Sequence, residues 1–205
     1  MSTVTVPVVD PFQPPPGPVW RFSVADYHRL IASRVLGEDD RVELLEGWIV
    51  PKMTHNPPHD GTIQIVSEHL RPLLSPGWVI RIQSAITTSD SEPEPDIAIV
   101  RGNARTYLKR HPGPADIALV VEVAESTLDQ DRVQKARLYA RASIPVYWVI
   151  NLVDNQVEVF SNPTGAGDVP GYRTSQVAHA SDVVPFVLDG QRVTEIRVAE
   201  LLPGS

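Results

Sequence analysis

"DIALVVEVAEST", residues 116–127, is the stretch on which the fold turns. From Ile117 to Ala124 it is apolar at every position but one, without alternation, which is the pattern of a central strand covered on both faces. The exception is Glu122, and an acid buried there without a partner is very costly. Just upstream, "SEPEPDIAIV", residues 91–100, reads as another buried strand with Asp96 near its start. Alternation puts Asp96, Ala98 and Val100 on one face of that strand, and Val120, Glu122 and Ala124 on one face of the other. Sequential strands are often neighbours, so the two carboxylates are expected to converge on one point.

Working outward, "SVADYHRLIASRV" predicts a short helix capped by Ser23, with Tyr27, Leu30 and Ile31 on its apolar side. "RVELLEGWIVPKM" reads as two strands around Gly47, and "PPHDGTIQIVSEHLRPLLSPG" as a helix ended by Pro76-Gly77. "WVIRIQ" and "SAITT" are strand candidates before the two acidic strands. "STLDQDRVQKARLYARAS" follows as a second clear helix. "PVYWVIN" and "QVEVFS" form a hairpin across Asp154-Asn155, with Tyr147 and Trp148 read as core. A Gly/Pro-rich loop at 162–171 leads to weaker strand signals ending at "VTEIRVAELL". This order suggests an α/β or α+β fold, a sheet flanked by helices, and not a regular βαβ repeat.

The 205 residues, 42% of them hydrophobic, fit a single domain over 20–205 with a substantial core. Six of the 20 prolines precede Trp20, so residues 1–19 are read as an extended tail. The start carries no signal-peptide pattern, and no apolar run reaches the roughly 20 residues needed to cross a bilayer. Absence of cysteine excludes disulfides and thiolate chemistry and is compatible with a cytoplasmic protein. The formal net charge of -7 means that binding to nucleic acid would need a local basic patch. Arg101, Arg105, Lys109 and Arg110, between the acidic strands, are the clear basic cluster; the competing reading is a solvated segment.

Two ionised carboxylates a few ångströms apart repel, so one takes a proton or a cation sits between them. Magnesium, which accepts one or two carboxylates and keeps several waters, is the natural choice, and manganese is expected to substitute. The bland alternative pairs Glu122 with an arginine and leaves Asp96 as a strand-start residue. His55 and His59 are four apart, but Pro57 and Pro58 rule out the helix on which that spacing would make a metal pair. Zinc is therefore not expected. His69 reads as a helix-surface residue, and Glu46 and Glu125 as strand-end or loop acids. The chain carries no nucleophile elbow, phosphate-binding loop or dinucleotide fingerprint.

"RVELLEGWIVPKMT", "PPHDGTI", "EPEPDIAIV" and "LVVEVAESTLDQDRVQKARLYARASIPVYWVI", in that order, resemble the Uma-type putative restriction endonuclease family of the PD-(D/E)XK nuclease superfamily. The resemblance covers about residues 22–160, leaving 171–205 as a β-rich C-terminal extension. It implies a restriction-endonuclease-like core, a central mixed β-sheet with helices on both sides, and a metal held by acids on adjacent strands. It matches Asp96 to the first motif acid, Glu122 to the second, and Glu43 to an N-terminal acid that completes such sites. The superfamily's lysine usually stands two residues after the second acid, where this chain has Ala124. The resemblance points instead to Lys135 on the next helix; a solvated lysine paired with Asp131 at i,i+4 is the competing reading. His59 matches a family position near a helix start, as a candidate substrate contact or a support for Glu43; the residues alone read it as a loop or N-terminal helix residue.

The expected function is a magnesium-dependent endonuclease acting on DNA, with Glu43, Asp96 and Glu122 as metal ligands and Lys135 as the catalytic cation. A binding or assembly module with weak or lost catalysis is the rival, since fold alone does not establish function. Hydrolysis of a smaller phosphoester is a third reading. The resemblance also makes a homodimer an expectation, because cutting two strands asks for two sites, although no residue identifies an interface.

Overall fold

The computed structural model describes residues 17–37 and 39–204. The expected tail therefore lies, but for residues 17–19, outside the described residues. Helix α1 (Val24–Ala32) starts at a Ser23 capping box, closed reciprocally with Asp26. Tyr27 is buried, as its periodicity suggests, whereas Ile31 stays exposed.

Strands β1 (Val42–Leu45) and β2 (Trp48–Pro51) form the expected hairpin. Its turn residues Glu46 and Gly47 both have positive φ, the geometry that matches the twist of a two-residue connection. A Cβ on Gly47 would lie 2.7 Å from the Cβ of Arg21. Gly47→Ala is therefore expected to cost roughly 2–4 kcal/mol, through left-handed strain and overpacking together. Gly190→Ala, also at positive φ but with nothing within 4 Å, should lose only about 1 kcal/mol. Urea unfolding of the two variants measures the difference; equal losses would mean that the Arg21 segment simply yields.

Helix α2 (Pro57–Leu70) has both prolines in its first turn, where a missing N–H costs nothing, and Asn56 as its cap. Strand β3 (Trp78–Ile82) follows. Residues 84–88, expected as a strand, are not one. The segment folds back on itself, with N–H groups of Ile86 and Thr88 donating to Pro93 and Ser91 carbonyls. Pro93 and Pro95 have no N–H to return, so no ladder can propagate.

The central sheet has six strands in the order β3-β4-β5-β6-β7-β8. These are β4 (Ile97–Arg101), β5 (Ile117–Ala124), β6 (Val146–Asn151), β7 (Gln156–Pro163) and β8 (Tyr172–His179), beside β3. All pairs are antiparallel except β5 with β6, so the sheet is mixed. All eight residues of β5 are buried, as its unbroken apolar run requires. On one face, Ile97, Ile99, Val121, Val123, Trp148 and Ile150 pack against Ile63, Val66 and Leu70 of α2. A final hairpin, β9 (Val183–Leu188) and β10 (Gln191–Arg197), adds Val184, Phe186 and Ile196 to that face. On the other, Ala98, Val100, Val120, Ala124 and Val149 meet Leu45 and α3 (Ala136–Arg141). Among the described residues no helix is long and apolar enough to cross a membrane.

Candidate active site

The register of β4 on β5 pairs Ile97 with Val121, and one step further sets Asp96 opposite Glu122. Directly opposed residues share a face, so both side chains leave the sheet on the α3 side. Each carboxylate also holds the other's strand. Asp96 Oδ2 accepts the Val123 N–H at 2.8 Å, and Glu122 Oε2 accepts the Asp96 N–H at 3.3 Å. The β1–β2 hairpin docks through the Glu92 N–H on the Leu44 carbonyl at 2.7 Å. That contact carries Glu43 in, and its Oε2 accepts the Glu94 N–H at 3.1 Å. Glu43, Asp96, Glu122, Asp131, Lys135 and His59 all line one cleft of about 370 Å³.

The helix behind the cleft is not uniform. Gln130–Lys135 is a π-helical turn and α3 continues it from Ala136. Four residues fall short of a full turn in a π segment and overshoot one in an α-helix. The two deviations cancel across Asp131, Lys135 and Tyr139, which all face β5. Lys135 Nζ lies 2.9 Å from Glu122 Oε1 and 3.5 Å from Asp131 Oδ1, so it serves both partners. The Tyr139 hydroxyl donates to the same Glu122 oxygen at 2.6 Å. Asp131 receives the Thr127 hydroxyl at 2.6 Å on Oδ2, while its buried Oδ1 has no hydrogen-bond donor.

Four buried carboxylates thus surround one lysine. Burial pushes the Glu122 carboxyl up, as do the charges of Asp96 and Asp131, against the pull of Lys135 and Tyr139. Burial works against a charged Lys135, yet Glu122 and Asp131 hold its pKa well above the ordinary lysine range. The two directions conflict, since a neutral Glu122 would not hold the lysine. Three donors on the Glu122 oxygens, from Lys135, Tyr139 and the Asp96 N–H, are the surroundings of an ionised carboxylate, and the charged pair is the better description. Burial likewise raises Asp96, but His59, Lys135 and the Val123 N–H together bring it below its usual value.

His59 stands in the first turn of α2 with Nε2 3.3 Å from Asp96 Oδ2. Burial disfavours its charged form, but the Asp96 hydrogen bond and charge prevail and raise its pKa. His55 precedes the helix, and its ring still stacks on His59 with centroids 4.4 Å apart. The prolines do exclude a helical pair, but the incoming loop brings the rings together without one. Asp131, seen in the sequence only as a competing partner for Lys135, belongs to the cluster; its spacing to Lys135 and Tyr139 was the available signal. Arg41 and Lys52, on the cleft rim, had no such signal.

The basic cluster lies elsewhere. Arg101 is five residues along β4 from Asp96, roughly 16 Å at strand spacing, and the loop it opens joins the opposite ends of β4 and β5. Arg101 pairs with Asp189 and Arg110 with Asp116, and none of Arg101, Arg105, Lys109 or Arg110 lines the cleft. Glu46 pairs with Arg137 and Arg141, whereas Glu125 lines the cleft and accepts the Asn56 amide. His69 is half-buried, 3.3 Å from Glu200.

A family model described as "Uma2: Putative restriction endonuclease" matches residues 24–194. Among solved structures, a putative nuclease of the DUF820 group from Anabaena variabilis is similar, with a TM-score of 0.60 at 15% identity. The likeness covers 88% of this chain and 97% of that one, and at this identity it speaks for a shared fold. No curated protein matches the chain.

Proposed function

The chain belongs to the family described as "Uma2: Putative restriction endonuclease", and from that premise we propose that it is a divalent-cation-dependent phosphodiesterase acting on DNA. The observation that carries this reading is the opposition of Asp96 and Glu122 across β4 and β5, with Lys135 2.9 Å from Glu122. The donor set suits a hard cation: all carboxylate oxygens, including an Asp131 oxygen without a hydrogen-bond donor, with more negative charge than one lysine balances. Asp96 and Glu122 would hold the ion, with Glu43 completing the set directly or through water. Magnesium, or manganese in its place, supplies a bound water of lowered pKa and countercharge for the transition state.

The chain's own groups do the positioning. Tyr139 fixes the rotamer of Glu122, and the Val123 N–H and His59 fix that of Asp96. Lys135, aimed from the helix rather than from β5, would neutralise charge developing on the phosphate. Its origin on the helix offsets the absence of a lysine at Ala124. The test is calorimetric titration of manganese into the wild type and Asp96→Ala, paired with cleavage assays on plasmid, single-stranded DNA and RNA. Binding lost in the variant, with cleavage of DNA, supports the reading. Binding without cleavage of any of the three would assign the chain to the binding-module alternative.

Each phosphate that a protein neutralises adds about 0.9 to the log–log salt slope of its DNA binding. Neutralising Arg41, which lines the cleft, should lower that slope, and neutralising Lys52 should lower it less because Glu94 already pairs with it at 2.5 Å. Neutralising Arg105 and Lys109 should leave it nearly unchanged, because they sit at the far end of the sheet. The reverse result would move the DNA path to that loop.

A further inference from the structure

We propose that His55, His59 and Asp60 form a second metal site at the mouth of the cleft, separate from the carboxylate centre and selective for zinc or a similar borderline ion. One ligand atom from each residue lies within 4.8 Å of the other two. Asp60 Oδ1 is 3.4 Å from His55 Nδ1 and 3.6 Å from His59 Nδ1. A tetrahedral zinc with ligands at about 2.0–2.1 Å separates neighbouring ligands by roughly 3.3 Å, so the two separations from Asp60 need only a small contraction, and the two histidines start within 4.8 Å of each other. Two imidazoles and one carboxylate suit zinc better than magnesium, which asks for an all-oxygen shell.

A second observation selects the nitrogen that would bind. His59 turns Nε2 towards Asp96 Oδ2 at 3.3 Å, while its buried Nδ1 has no hydrogen-bond partner. A carboxylate on one ring nitrogen holds the proton there and leaves the other free as a ligand, which is the usual arrangement behind a metal-binding histidine. The two centres thus lie on opposite sides of one ring, joined through Asp96. Asn56 capping and the prolines at the start of α2 set His59 and Asp60 in the first helical turn before any ion arrives. Two features oppose binding. The positive end of α2 disfavours a cation, which Asp60 and Asp96 counter, and the Gln83 amide now on His55 Nδ1 at 2.9 Å must turn aside or offer its oxygen.

The proposal is tested by titrating zinc calorimetrically, and cobalt by visible absorption, into the full chain and into His55→Ala and Glu122→Gln. His55 is exposed, so its removal should leave the circular dichroism spectrum intact. Glu122→Gln, with the carboxylate centre disabled, should bind one zinc and give the intense cobalt bands of a tetrahedral site, which the wild type should show as well. In His55→Ala the tetrahedral site should bind at least about 100-fold more weakly, beyond the loss that an outer-shell change brings. Absence of zinc binding in the wild type overturns the site, as do tetrahedral cobalt bands that survive in His55→Ala or disappear in Glu122→Gln. None of these readouts involves cleavage, so failure here leaves the nuclease reading standing, and the converse also holds.

Discussion

Glu122→Gln should lower cation-dependent DNA cleavage by about 10³-fold while the chain stays folded. The substitution keeps the length and shape of a side chain that is only 2% exposed, so no cavity opens behind it. Its remaining amide oxygen can still accept the Tyr139 hydroxyl. What disappears is one negative charge, and with it the hold on a divalent ion and the long 3.3 Å acceptor of the Asp96 N–H. That loss also weakens the grip on Lys135, but it relieves the repulsion from Asp96 and Asp131 that raises the Glu122 pKa. The two effects oppose each other, so the unfolding midpoint should shift little. The measurement is the rate of supercoiled plasmid relaxation in manganese, beside a thermal melt. A fall of less than tenfold in a folded variant would remove Glu122 from the metal centre.

Lys135→Met should produce the opposite profile, a large loss of stability that a metal ion partly restores. Lys135 is largely withdrawn from water and offers its charge to Glu122 and Asp131, both almost fully buried. Taking away one partner of a buried ion pair typically costs about 3–5 kcal/mol, because the remaining charge stays unpaired. For a chain of this size that corresponds to a midpoint lower by roughly 10 °C. Millimolar manganese should recover part of it by binding only the folded state, and more in the variant than in the wild type, because the variant has the larger uncompensated charge. A solvated lysine would change the midpoint by only a degree or two and show no such metal response. The two variants separate the roles: Glu122 is expected to matter for the ion, Lys135 for the charge balance of the cleft.

Much of the sheet was legible because its signals are local. The unbroken apolar run of β5 demanded cover on both faces, and Glu46-Gly47 and Asp154-Asn155 stand where short reversals need positive φ, which Glu46, Gly47 and Asn155 all adopt. The meeting of Asp96 with Glu122 needed only two-residue alternation and the pairing of successive strands. Residues 84–88 misled because β-propensity says nothing about whether the facing segment can return hydrogen bonds, and prolines there cannot.

The amino-acid sequence by itself therefore determined a covered sheet with two acids opposed near its centre, since alternation and apolar cover act over a few residues. The rest of the cleft is a tertiary matter. Asp131, Lys135 and Tyr139 point together because a π-helical turn meets an α-helix, and no residue type in "QDRVQK" announces that change of winding. His55 reaches His59 from a loop that the Gln83 amide, just past the end of β3, holds at 2.9 Å, and the loop from Arg101 lies far from the acids because β4 runs away from them. Each of these depends on where one element packs against another. That placement is set by the summed burial of two core faces, not by the residues that end up in the cleft.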